Sequence, residues 1–167
     1  LRKSQEVLGL AVIHSKTGKK LGTVSDLLFD ETQKLRGLLV ENGGWLRKRR
    51  WIPIEEIQSM GKDAILVDSE EALLTLNEET ESWTGILSGD KKLRGRPVLL
   101  SNGCEIGVLE NVYFLEEVGT LIGYELSDGW INDLQDGRKV LKSNAPLVWG
   151  EDVLIAPFDQ IQLKDQK

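Results

Sequence analysis

A chain of 167 residues, 40% hydrophobic and 29% charged, has the make-up of a soluble protein of one medium or two small domains. Its single cysteine (Cys104) and single histidine (His14) exclude an internal disulfide, a cysteine-cluster zinc site and the usual multi-histidine metal sites. The net charge of −6 is uneven: residues 1–68 hold 12 Lys/Arg against 9 Asp/Glu, residues 69–92 hold 2 against 6, and residues 93–167 hold 7 against 12. A mildly basic first part on an acidic protein argues for two modules of different polarity, and against a protein that binds polyanions as a whole.

In chain order, "LRKSQEVLGLAVIHS" opens basic but lacks a long apolar core and a small-residue cleavage site, so a cytoplasmic location is expected. Apolar runs such as Gly37-Leu38-Leu39-Val40 are far shorter than the ~20 residues that span a bilayer. Strands are predicted at 10–14 and 21–29, joined by the turn "KTGKKLG"; "DETQKLRG" is the next hairpin. Residues 69–92 read as a linker with partial helix. Ser69 is placed to cap a short helix, Glu78–Glu81 is a solvated charge run, and 82–88 is expected to form a second helical turn. Strands at 97–100 and 105–115 follow, joined by "NGCEIG". Short strands with turns between them predict an all-β protein rather than βαβ units.

The chain repeats itself. Gly9 answers Gly95, Val12 answers Val98, and Gly18, Gly22, Asp26 and Phe29 answer Gly103, Gly107, Asn111 and Phe114. After one insertion Leu35, Gly37, Val40 and Gly43 match Leu121, Gly123, Leu126 and Gly129, and "GKDAILV" (61–67) matches "GEDVLIA" (150–156). A rival alignment sets "APFDQIQ" (156–162) on "IPIEEIQ" (52–58), but it leaves the second copy without its last strand and with an unpaired edge. The alternation in "GTVSDLLFD" and "GVLENVYFL" is imperfect, as expected of strands that bend around a small barrel. The expected boundaries are 1–68 for the first unit, 69–92 for the linker, 93–157 for the second unit and 158–167 for a tail.

The succession "GKKLGTVSDLLFD", "LRGLLV", "GGWL" and "IPIEEI" resembles the PRC-barrel domain, a family named for the cytoplasmic barrel of the photosynthetic reaction-centre H subunit. The family also includes the C-terminal domain of a ribosome-maturation factor. Copy one resembles it throughout; copy two does so through Gly129 and again from Gly150, with a divergent middle "DGWINDLQDGRKVLKSNAPLV". The resemblance implies two tandem small β-barrels acting as a non-enzymatic adaptor that docks protein partners. Two further roles stay open: an RNA- or ribosome-associated assembly factor, and a regulator peripheral to a photosynthetic or other membrane complex. The partner classes are therefore a protein, RNA or ribosome, an anionic membrane surface, or a second copy of the chain.

The sharpest candidate surface is "WLRKRRW" (45–51). Arg47, Lys48, Arg49 and Arg50 could hold anionic groups, with Trp45 exposed beside them; Trp51 is expected to point into the barrel. The plainer alternative is a basic hairpin whose cations merely face water. Trp130 stands where Trp45 stands in the first copy, so both are candidate docking residues. The second hairpin carries Asp133 and Asp136 before Arg138 and Lys139, charges that could steer one unit onto another molecule. No catalytic residues, cofactor or metal are expected. His14 lacks a paired nucleophile, and adjacent acids such as Glu55 and Glu56 would point to opposite faces of a strand.

Overall fold

The computed structural model of the chain describes residues 1–43, 48–128, 133–134 and 137–166. The elements run β1 (Arg2–Lys3), α1 (Ser4–Val7), β2 (Ala11–His14), β3 (Lys20–Phe29), β4 (Leu35–Asn42), β5 (Lys48–Pro53), β6 (Ser59–Met60), β7 (Ala64–Val67) and β8 (Leu74–Thr75). Then come α2 (Glu78–Ser82), β9 (Thr84–Gly85), β10 (Pro97–Leu100), β11 (Glu105–Leu115), β12 (Thr120–Ser127), β13 (Lys139–Ser143), β14 (Val148–Trp149), β15 (Leu154–Ala156) and β16 (Ile161–Asp165).

These strands build two sheets with one topology. The first runs β6-β7-β2-β3-β4-β5-β8 and the second β14-β15-β10-β11-β12-β13-β16, each curling without pairing its outermost strands. The registers repeat as well. Gly22 faces Val12 as Gly107 faces Val98, and Gly37 faces Leu28 as Gly123 faces Tyr113. The parallel closing strands, β7 on β2 and β15 on β10, follow the Gly-x-Asp alignment and not its rival. Gly37 is needed for packing: a Cβ there would lie 2.2 Å from the Ile52 carbonyl oxygen and 2.8 Å from the Trp51 ring.

The imperfect alternation has a local cause. The ladder between β3 and β4 shifts register between Val24 and Asp26, and that between β11 and β12 shifts between Leu109 and Asn111. A bulge adds one residue and so changes which side chains face the core. Val24, Leu27 and Phe29 enter the core, while Leu28 turns to the other face of the sheet. Asp26 and Asn111, at the bulges, are fully buried.

The interior is one continuous apolar cluster. Fully buried Phe29, Leu35, Leu38 and Ile52 of the first unit join Leu109, Phe114, Leu126 and Leu141 of the second. Each such side chain contributes roughly 1.5–3 kcal/mol by leaving water. The units meet where Phe29 packs edge-on against Trp149, with ring centroids 5.8 Å apart, and Trp149 Nε1 donates to the Tyr124 hydroxyl. Leu35 N donates to the carbonyl of Gly119, whose φ of +73° and close approach to Leu35 admit no side chain.

The intervening segment is not a free linker. Glu70–Ala72 is a 3₁₀ turn capped by Ser69, and α2 is capped reciprocally by Asn77 and Thr80. Between them β8 pairs with β5. Residues 84–85, expected as helix, instead form β9 against β3. The tail also departs from expectation, because 161–165 is a strand on β13. In both places the open edge of a long strand offers backbone groups that must find partners, and the nearest passing chain supplies them.

Each unit is capped by the segment that leads into the other. β1, ahead of the first unit, pairs with β11; β9, ahead of the second, pairs with β3. The registers correspond, with Arg2 across from Phe114 and Thr84 across from Phe29. Beyond each short strand a serine reaches the bulge: Ser4 Oγ donates to Asn111 Oδ1 at 2.8 Å, and Ser88 Oγ donates to Asp26 Oδ2. The chain then returns to its own unit, where Gly9 N donates to the Val24 carbonyl and Gly95 N to the Leu109 carbonyl.

Candidate docking surface

Of the predicted site residues, Trp45, Arg47 and Trp130 lie outside the described residues, as does Asp136. Lys48, Arg49 and Arg50 open strand β5, with Lys48 and Arg49 exposed and Arg50 half-buried. Successive strand residues face opposite sides, so this basic run cannot present one flat cationic face. Arg49 shares the side of Trp51, while Lys48 and Arg50 share the side of Ile52. The register sets Lys48 across from Asn42, Arg49 from Glu41 and Arg50 from Val40.

Trp51 is buried at 9% exposure, but not inside the unit as expected. It lies on the outer face of the sheet with Leu28, Leu39 and Trp83, a cluster separate from the main core. Trp83 approaches edge-on at 5.2 Å and 85°, and the Arg36 guanidinium lies 5.0 Å from the Trp83 ring centroid. This placement follows from strand alternation, since Ile52 takes the inward position.

The two units treat equivalent cations differently. Counting from Gly37 and Gly123 along the registers, Arg49 corresponds to Arg138 and Arg50 to Lys139. Arg138 pairs with Glu125 at 2.9 Å and Asp133 at 3.6 Å, and Lys139 pairs with Asp128 at 3.2 Å. Lys48, Arg49 and Arg50 have no carboxylate partner among the described residues; Arg50 donates to the Thr75 hydroxyl at 3.2 Å. The decisive residue is at the position of Leu39, where the second unit has Glu125, buried at 1% exposure. Burial alone would raise the Glu125 pKa. Hydrogen bonds from Asn111, Lys3 and Arg138 outweigh it and hold the carboxyl below its ordinary 4.5.

Sequence reasoning passed over the two bulge anchors. Asp26 accepts backbone hydrogen bonds from Leu27, Ile86, Leu87 and Ser88. Asn111 accepts from Gln5 N as well as from Ser4, and donates to Glu125 Oε1. The signal available was a polar residue at equivalent places within two otherwise apolar strands. These groups are structural and closed to solvent.

A cleft of about 450 Å³ lies between the units, lined by Thr32, Gln33 and Lys34 on one side and by Leu121, Tyr124 and Leu147 among others on the second. Burial pushes the Tyr124 hydroxyl up to about 12, so it stays protonated. His14 Nδ1 accepts from Lys16 N at the strand end, and Cys104 is exposed in its turn. Among the described residues no three His, Cys, Asp or Glu side chains cluster as a metal site requires. Among them, too, no helix is long and apolar enough to cross a membrane.

The eight-stranded sheet, with its short parallel strand beside the antiparallel run, is a β-barrel-like module present twice. Residues 2–74 match the sequence model of the PRC-barrel domain. The chain is also similar to YrrD of Bacillus subtilis strain 168, a protein described as uncharacterised. The two are 29% identical over 150 residues, which cover 89% of this chain and 82% of that one. A match of that length runs through both units.

Proposed function

We propose that this protein is a non-enzymatic adaptor that docks an acidic protein partner on the β4–β5 hairpin of its first unit. The observation that carries this reading is the contrast in charge pairing. Arg138 and Lys139 are satisfied within the chain, whereas Lys48 and Arg49 stand exposed at the start of β5 without carboxylate partners among the described residues. Keeping long cations solvated and unpaired leaves them free to steer and hold an oppositely charged surface.

The test is affinity capture from cell extract with the wild-type chain and with a Lys48→Glu/Arg49→Glu variant, each with and without RNase. Partners that survive RNase and disappear with charge reversal support the adaptor. Loss of every partner on RNase treatment would transfer the hairpin to an RNA-binding role, and an unchanged partner set would remove it from function.

A further inference from the structure

Among the described residues no strand pairs the edge of the sheet beside those cations, and the second unit shows how it can be filled. β16 runs antiparallel along the whole of β13, with Asp165 across from Lys139, and the ladder continues as Gln166 N donates to the Arg138 carbonyl at 2.7 Å. In the first unit β8 supplies only two rungs, Thr75 across from Arg50 and Leu74 across from Trp51. It stops there for a local reason. The next residue, Leu76, folds against the outer apolar cluster, and Asn77 begins α2 as its cap. No described strand covers the edge at Arg49 and Lys48.

We infer that the edge of β5 at Lys48 and Arg49 receives an extended acidic peptide segment by strand addition, continuing antiparallel where β8 ends. This rests on the adaptor reading and names the form its partner takes. An added strand supplies backbone hydrogen bonds whatever its sequence, and its side chains give selectivity. Directly opposed residues share a face of the sheet, and the neighbouring pair shares the other. Arg49 and Lys48 point to opposite faces, so two consecutive acidic residues satisfy both cations at once. The second unit already holds one such pairing across the ladder, an acid placed opposite Lys139. Cations on an edge also deter pairing with another basic edge. The same charges therefore refuse a second β5 and admit an acidic strand.

The experiment uses the full chain and a labelled ten-residue peptide, acetylated and amidated, with an Asp-Glu pair at the centre of a Val/Thr stretch. Binding is read by fluorescence anisotropy and by hydrogen exchange at the β5 amides. Expected are saturable binding, slowed exchange at residues 48–50, and loss of both in Lys48→Glu/Arg49→Glu. N-methylation of the alternate peptide amides that face β5 should weaken binding by about tenfold or more, and N-methylation of the outward set should not. If neither set matters, charge alone holds the peptide and strand addition is wrong, though the docking hairpin stands. If the peptide does not bind while charge reversal still removes captured partners, the strand mode fails and the adaptor reading survives. Stronger binding by a single-stranded RNA of equal length would overturn the acidic-peptide assignment.

Discussion

The outer face of the first unit and the same face of the second are built on one backbone pattern, yet one is held by aromatics and the other by charges. Where the first unit places Leu28, Leu39 and Trp51, the second places Tyr113, Glu125 and Val140. Trp83 covers the first; Lys3 and Arg138 reach across the second to Glu125. The difference decides what the adjoining cations can do. A buried carboxylate draws Arg138 inward, whereas a leucine at the same place offers Arg49 nothing, and Arg49 is left exposed to solvent.

The comparison is broken most sharply at the bulge anchors. Asp26→Ala should destabilise by about 3–5 kcal/mol, since it strands several buried N–H groups. Asn111→Ala, which loses the bonds to Ser4, Gln5 and Glu125, should cost about 2–3 kcal/mol. Urea denaturation of both variants checks the order; a larger loss for Asn111→Ala would mean that Asp26 is not the stronger anchor.

On the outer faces, Trp51→Ala should cost about 3 kcal/mol, and Trp51→Phe less, because the ring fills a covered cluster rather than an exposed surface. Tryptophan fluorescence followed through thermal unfolding would show it. An unshifted melting temperature would say that the Trp51–Trp83 contact carries no stability.

Acid should weaken the charged outer face of the second unit. Glu125 has a folded pKa below its ordinary 4.5, so its stabilisation is present above about pH 4.5 and is lost as pH falls through the folded value. Asp30, held low by Thr32, Lys34 and Arg36 against the effect of burial, acts in the same direction. Glu125→Gln should therefore flatten part of the acid limb of the stability profile and leave the share of Asp30. A profile identical to wild type would remove Glu125 from the account. The smallest effects concern the cations. Arg138→Ala should cost about 1 kcal/mol through its buried partner, and Arg49→Ala should stay within about 0.5 kcal/mol. Equal losses in the two variants would erase the contrast on which the docking surface rests.

Much of this was legible in the chain. The glycine spacing predicted both units because Gly37 and Gly123 sit at corresponding rungs, and a repeat in required close approaches is a repeat in fold. The basic hairpin was visible as a run of charge. Its division between two faces follows from strand alternation, but the cover over Trp51 is Trp83, which comes 32 residues later and carries no local sign of its target. The crossing of β1 and β9 was hidden for the same reason. Two residues of extended chain look alike whichever sheet they join, and the serines that fix them, Ser4 and Ser88, lie five and seven residues ahead of Gly9 and Gly95.

That crossing sets an order of assembly. Ser4 waits for Asn111, 107 positions away, whereas Ser88 meets Asp26 across 62. At about 5–20 residues per second, the amino-terminal segment emerges from the ribosome some 5–20 seconds before its partner strand exists. The first unit can acquire its cap while synthesis continues, but the second cannot. The residues of β1 are thus made well before the strand they join, and non-local closure of this kind is slow to nucleate. Before that closure Arg2 and Lys3 lack the strand that pairs them.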